Sequence, residues 1–136
     1  MYKTVMIPID MAHIEEGKAM VEAAKVHAAK DARIILLNVV EEVPSYVAAE
    51  LPSGILDKSK ESAFQELKAV VEEAGIEADV EIRAGHPYRT ILEAAEDDKV
   101  DLIIIASHKP GLQDYFLGST AARVVRHASC SVLVVR

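Results

Sequence analysis

Residues 101–136 read DLIIIASHKPGLQDYFLGSTAARVVRHASCSVLVVR and hold two apolar runs separated by a loop and a helical pattern. Leu102–Ala106 is continuously apolar, which is typical of a strand covered on both faces. Gly118, Ser119 and Thr120 open an alanine-containing helical pattern over Ser119–Ala128, and Val132–Val135 is a second β-rich run. This order predicts two parallel strands joined by a helix.

The same alternation extends upstream. Three further β-rich runs each precede a helical pattern, and Pro87 stands at a helix-start position after Gly85. The predicted strands are Thr4–Ile9, Arg33–Val40 and Asp79–Arg83, and the predicted helices are Lys18–Lys30, Lys58–Ala74 (apolar stripe Phe64, Leu67, Val70, Val71, Ala74) and Pro87–Glu96. Right-handed crossovers then favour an α/β fold. We expect one domain over residues 1–136, a doubly wound five-stranded parallel sheet in the order 3-2-1-4-5 with helices on both faces.

One connection is unusually long. Residues 41–56 contain two prolines and show no convincing helical period. Loops of this length are either functional flaps or mobile linkers, and the sequence supports both interpretations.

Composition excludes several classes of protein. The net charge of -7 argues against binding to nucleic acid or to an anionic membrane, since both need a basic face. No apolar run approaches the roughly 20 residues of a membrane span, and the first residues read as a strand, not as a signal peptide. The single cysteine, Cys130, excludes an intrachain disulfide and fits a reducing cytoplasm. Residues 109–136 are less repulsive to an anion, with four basic residues against one acid.

A doubly wound sheet binds ligands outside the carboxyl ends of its strands, at the switch point between strands 1 and 4. Asp10 follows strand 1, where a carboxylate can bind a ribose hydroxyl or hold Mg²⁺ beside phosphates; the alternative is an aspartate that caps a turn. Val39 and Val40 end strand 2. Their backbone N–H and C=O groups could pair with a base edge, or they could be an ordinary strand end.

Gly118, Ser119 and Thr120 form a candidate phosphate site. A helix start exposes unpaired N–H groups, and glycine permits close approach of an anion. The alternative is that Ser119 or Thr120 caps an ordinary helix. His108, directly after strand 4, could contact a ligand or fix the loop. The chain lacks a P-loop, a Gly-x-Gly-x-x-Gly fingerprint, a metal-ligand set and a nucleophile elbow around Ser119, and Cys130 is interpreted as a packing residue.

With those residues in place, the chain resembles the universal stress proteins along its whole length. The landmarks are VMIPID, LLNVVEE, AGHPYRTILEAAE and the tail, in which SH, LGS, RHA, C and VLVV stand in the family's order. The ASHKPG start and the YFLGS segment are closest to the small F/G-type branch, whose members can bind ATP.

This resemblance implies a five-stranded parallel fold, homodimers paired through the last strand (residues 132–136) and, in one subclass, ATP binding through Gly-x2-Gly-x9-Gly-Ser/Thr. The last Gly-Ser falls on Gly118 and Ser119. Asp10 and Val39 fall on the ribose-facing and adenine-facing positions, with Pro8 and Ile9 beside them.

The first half of that motif departs from the family pattern. Ala106 and Lys109 stand where the two glycines belong, and the loop from His108 to Gly118 is one residue short. Alanine is small enough to keep close backbone approach, Lys109 adds a cation, and Gly111 restores some freedom to the loop.

The sequence therefore predicts a cytoplasmic, homodimeric sensor or regulator that binds ATP, with or without Mg²⁺ at Asp10, and hydrolyses it slowly at most. The predicted phosphate contacts are Ser107, His108, Lys109, Gly118, Ser119 and Thr120. Two alternatives stay open. One is a universal stress protein that has lost nucleotide binding and acts through its dimer surface on an unknown partner protein. The other is an AMP-transferring enzyme of the related α-hydrolase-like class.

Overall fold

The computed structural model describes residues 1–107 and 117–136. Strands and helices alternate as predicted. In chain order the elements are β1 (Tyr2–Pro8), a 3₁₀ turn (Met11–His13), α1 (Ile14–His27), β2 (Ala28–Val40), α2 (Ser45–Ala48), α3 (Ile55–Ala74), β3 (Asp79–Ala84), α4 (Pro87–Asp97), β4 (Leu102–Ala106), α5 (Ser119–His127) and β5 (Ser131–Val135).

The five strands form one sheet in the order β3-β2-β1-β4-β5, and every pairing is parallel, so the predicted fold class is confirmed. Helices cover both faces. Val5, Ile7 and Leu36 pack against α1 and α3 on one side, and Met6 and Ile35 pack against α4 and α5 on the other. Alternate residues of one strand thus enter different cores, which explains the continuously apolar runs.

The element boundaries differ most from the sequence prediction around α1, where β2 also begins at Ala28 and not at Arg33, and within residues 41–56. Helix α1 begins at Ile14, not at Lys18, and ends at His27, because residues 28–30 are already extended where Ala28 pairs with Tyr2. Within residues 41–56 the chain forms the short helix α2, and α3 begins at Ile55 instead of Lys58.

The buried stripe of α3 also differs by one position. Ala63 is buried with Leu67, Val70 and Val71, whereas Phe64 is only half-buried and its ring lies under the Lys68 ammonium. The small alanine lets α3 approach the sheet, and the aromatic ring lies at the edge of the contact.

No helix in the described ranges is long and apolar enough to cross a bilayer.

Candidate functional site

A cavity of about 520 Å³ opens at the carboxyl ends of β1, β2 and β4, at the switch point of the sheet. Every predicted site residue that the structure describes lines it: Pro8, Ile9, Asp10, Val39, Ala106, Ser107, Gly118, Ser119 and Thr120. The predicted residues His108, Lys109 and Gly111 lie outside the described residues. The fold therefore brings together side chains from three separate parts of the chain.

Strands β1 and β2 separate at the floor of this cavity. Their register ends at the pair Pro8 and Leu37, and one more backbone bond joins them, from Ile9 N to the Leu37 carbonyl at 2.8 Å. The next contact is made by a side chain: Asn38 Nδ2 donates to the Ile9 carbonyl at 2.9 Å. Asn38 is only 6% exposed, so this amide is a fixed part of the cavity wall.

Val39 and Val40 face opposite edges of β2, because the backbone groups of successive residues in a strand point to alternate neighbours. The Val40 carbonyl accepts from Gly85 N at 2.9 Å, so the backbone groups of Val40 face β3. Those of Val39 consequently face the side where β1 has ended. Between the two valines, the structure leaves Val39 with an adjacent N–H donor and C=O acceptor directed at the cavity.

Asp10 caps the turn after β1. Its Oδ1 accepts from Ala12 N at 3.0 Å, and its Oδ2 lies 3.2 Å from His13 Nδ1. The cap alternative from the sequence is therefore realised. The side chain is still 65% exposed, and each carboxylate oxygen has a lone pair to spare for a ligand hydroxyl.

The start of α5 forms the opposite wall. Gly118 is the N-cap and carries no capping side chain, so neither Ser119 nor Thr120 caps this helix. The first intrahelical bond runs from Ala122 N to the Gly118 carbonyl, which leaves the N–H groups of the first turn without an intrahelical acceptor. Gly118 has φ -58° and ψ 152°, a conformation open to any residue, so the backbone itself does not require glycine here.

A bond from Gly118 N to the Ser107 carbonyl, at 2.6 Å, joins this helix start to the end of β4. Ser107 N in turn donates to the Val135 carbonyl at 2.9 Å. The α5 N-terminus is thereby held at the carboxyl end of the sheet, on the same cavity as the ends of β1 and β2.

Sequence reasoning missed a set of lining residues on three elements: His13 and Met20 before and in α1, Asn38 and Glu41 on and after β2, and Pro87 and Ile91 on α4. His13 was missed because the helix was placed too late in the chain, so that this residue was not recognised as the N-cap of α1. A lone amide inside the apolar run IILLNVV was the available signal for Asn38.

The described lining is acidic. It includes Asp10, Glu16 and Glu41 together with His13, and none of its described members is lysine or arginine. In the described ranges no group of three or more His, Cys, Asp or Glu side chains could hold a metal ion. Asp10 therefore fits a cation that arrives already bound to phosphates, to which it would add one ligand, better than a cation held by protein alone.

Comparison with known proteins gives one consistent result. The universal stress protein family matches residues 1–136. Universal stress protein MJ0531 of Methanocaldococcus jannaschii is 35% identical over 141 residues, covering 100% of this chain and 83% of that relative. Universal stress protein G of Escherichia coli O157:H7 is 30% identical over 100% of both chains.

Solved structures show the same architecture. Hypothetical protein MJ0577 superposes with a TM-score of 0.80 at 29% identity, covering 99% of this chain and 96% of that chain. Two more distant structures share the fold. One is a universal stress protein in complex with cAMP (TM-score 0.72, 20% identity, 99% and 97% covered), and the other is a family member from Arabidopsis thaliana with AMP bound (TM-score 0.66, 18% identity, 98% and 90% covered).

Proposed function

Because this chain belongs to the universal stress protein family, we propose that its cavity binds an adenine nucleotide, ATP in particular, and that the protein acts as a cytoplasmic stress-response sensor or regulator. Proteins of this fold have been determined with cAMP, dAMP and AMP bound, which supports the ligand class. The observation that carries the proposal is the adjacent donor and acceptor of Val39 at the floor of the cavity.

The backbone of Val39 would read the base. Adenine presents an acceptor at N1 beside a donor at N6, which matches an N–H beside a C=O. Guanine presents N1–H beside O6, so the Val39 N–H would face another donor and the Val39 C=O would face another acceptor. Apolar side chains of Pro87, Ile91 and Ile105 line the same cavity and offer surface to the faces of a planar ring.

Asp10 would accept a hydrogen bond from a ribose hydroxyl with the lone pairs that Ala12 and His13 leave unused. Its exposure makes this contact accessible without breaking the cap. Where Mg²⁺ accompanies the phosphates, the same carboxylate would supply one oxygen to it. Such an ion would also offset the repulsion between the phosphates and Glu16 or Glu41.

The phosphates would lie at the start of α5. The N–H groups of its first turn and the positive end of the helix dipole favour an anion, and the hydroxyls of Ser119 and Thr120 add donors. Gly118 leaves room for this approach. We propose slow hydrolysis at most, because fast phosphoryl transfer uses a cationic clamp, and the described lining supplies no lysine or arginine for one.

We also propose a homodimer through residues 132–136. The two edges of the sheet differ: β3 carries the ion pair of Arg83 with Glu81, which discourages strand pairing, whereas β5 reads Ser-Val-Leu-Val-Val. The Val135 carbonyl faces β4, where it accepts from Ser107 N, so the backbone groups of Val134 face outward and are available to a second copy.

Two measurements test the nucleotide proposal. Purified protein is denatured and the released small molecules are identified by mass spectrometry, and apo protein is titrated calorimetrically with ATP, GTP and ITP in the presence of Mg²⁺. We expect bound adenine nucleotide, and at least tenfold weaker binding of GTP and ITP. Protein that releases nothing and binds no nucleotide would instead support a family member that acts through its dimer surface. Steady nucleotide turnover well above background would support the AMP-transferring enzyme.

A further inference from the structure

One backbone hydrogen bond that would continue the pairing of β1 and β2 is missing from the described part of the chain. Its acceptor would be the Ile9 carbonyl, which accepts from the Asn38 side chain instead. In a parallel ladder the bond from Ile9 N to the Leu37 carbonyl is followed by one from Val39 N to the Ile9 carbonyl. That second bond does not occur among the described residues. The Ile9 carbonyl accepts from Asn38 Nδ2 instead, at 2.9 Å.

We propose that Asn38 is a positioning residue for base recognition: its side chain satisfies the Ile9 carbonyl, which keeps the Val39 N–H out of the sheet and available to the ligand. The identity of the ligand in this inference rests on the proposed nucleotide function. The claim that Asn38 keeps the Val39 N–H out of the sheet does not depend on it. Asn38 acts through Val39 and needs no contact of its own with the base.

Physical chemistry explains why this position needs an amide. The Ile9 carbonyl lies beside a 94% buried side chain, and a buried carbonyl without a donor is costly. An apolar residue at position 38 offers no donor, so the nearest remaining one is the Val39 N–H. The Val39 N–H would then donate to the Ile9 carbonyl, which would extend the pairing of β1 and β2 by one hydrogen bond and leave this N–H unavailable to the base. Asn38 also lies within β2, where it pairs with Ile82 of β3, so its geometry is fixed before any ligand arrives.

Two variants without a donor test the proposal: Asn38→Leu, which keeps the branched shape of the side chain, and Asn38→Ala, which cannot overpack if the leucine variant folds poorly. Thr90→Val is the matched control, because Thr90 is an equally buried polar residue, 6% exposed. It lies on a helix that lines the cavity but takes no part in the hydrogen bonding between Asn38, Ile9 and Val39. Each protein is titrated with ATP and with 1-deaza-ATP, in which a C–H replaces the N1 acceptor.

In the wild-type protein and in Thr90→Val, loss of N1 should weaken binding by about tenfold, the usual worth of one such hydrogen bond. In the Asn38 variants ATP itself should bind about tenfold more weakly, and the further loss of N1 should cost less than about twofold. A merely structural role for Asn38 would weaken both ligands and preserve the tenfold ratio. A tenfold ratio between the affinities for ATP and 1-deaza-ATP in either Asn38 variant would overturn the proposal.

Amide hydrogen exchange of Val39 in the ligand-free protein gives an answer that does not depend on nucleotide binding. The proposal expects an unprotected Val39 amide in the wild type and at least about tenfold slower exchange in the Asn38 variants, since the amide then donates to Ile9. Equal protection in wild type and variants would refute it. If the wild type binds no nucleotide, the proposed function fails while this measurement still decides the role of Asn38.

Discussion

Gly17 lies on the buried face of α1 against Ile9, and replacing it with alanine should separate stability from ligand affinity. A Cβ at position 17 would lie 3.0 Å from Ile9 Cδ1, 3.4 Å from Cγ1 and 3.5 Å from Cγ2. Only the first contact is too short, so Ile9 must move by a few tenths of an ångström. Ile9 is buried but also borders the cavity, so we expect this movement to enter the ligand space.

Two separate effects should follow, one on folding stability and one on ligand affinity. Alanine in place of glycine inside a helix stabilises by about 0.5–1 kcal/mol, which corresponds to a rise in Tm of roughly 2–4 °C for a chain of this length. Bound ATP would hold Ile9 back against the new methyl group, so the overpacking that the free protein relieves would be restored on binding; at the lower end of the roughly 1–3 kcal/mol that overpacking costs, binding should be about tenfold weaker. Thermal unfolding followed by circular dichroism and calorimetric titration with ATP measure the two effects separately.

The matched control is Gly17→Ala combined with Ile9→Val, compared with Ile9→Val alone. Valine lacks Cδ1, which removes the single short contact and leaves the two ordinary ones. ATP affinity should therefore be equal within about twofold in these two proteins. The reasoning fails if Gly17→Ala binds ATP as tightly as the wild type, or if the double variant binds as weakly as Gly17→Ala.

Three further outcomes are expected. Gly118→Val should abolish measurable ATP binding in calorimetry while Tm changes little, because its φ and ψ suit valine and only the approach of an anion is blocked; undiminished affinity would remove the proposed phosphate site. Val134→Pro should convert dimer to monomer in sedimentation without loss of helical signal, since it removes an outward N–H; a persisting dimer would point to another interface. Burial raises the pKa of Glu81 against the opposing effect of Arg83, and the neighbouring Asp98 carboxylate raises it further, so this carboxyl's stabilising effect is present in acid and is lost as pH rises through that pKa. Asp98→Asn removes this repulsion and the charge on Oδ2, which is buried without a partner among the described residues, and gives up only a long ion pair of Oδ1 with the half-exposed Arg33 at 3.7 Å. The variant should thus raise the free energy of unfolding at pH 7 by about 1 kcal/mol and reduce the loss between pH 4 and pH 7, as measured by urea titration; a less stable variant at pH 7 would contradict this.

Residues distant in the chain are what sequence reasoning resolved least well at the site. Asp10, Val39 and Gly118 could be named because each ends or begins a recognisable element. From the strand pattern alone the choice between Val39 and Val40 could not be made, since it depends on which neighbouring strand has already ended; only the family resemblance pointed to Val39. The bond from Gly85 N to the Val40 carbonyl makes that choice, and it joins residues 45 positions apart in the chain.

By itself the sequence determined the order of strands and helices, the parallel sheet and the end of the sheet where the cavity opens. These follow from apolar periodicity, from glycine and proline at element ends, and from the handedness of crossovers, which are local or generic properties of any chain. Only the tertiary structure decided which backbone groups remain unpaired at that end of the sheet, and that the Asn38 side chain donates to the Ile9 carbonyl. Hydrogen-bond partners are assigned by the strands that lie side by side after folding, and no local pattern in the chain records them.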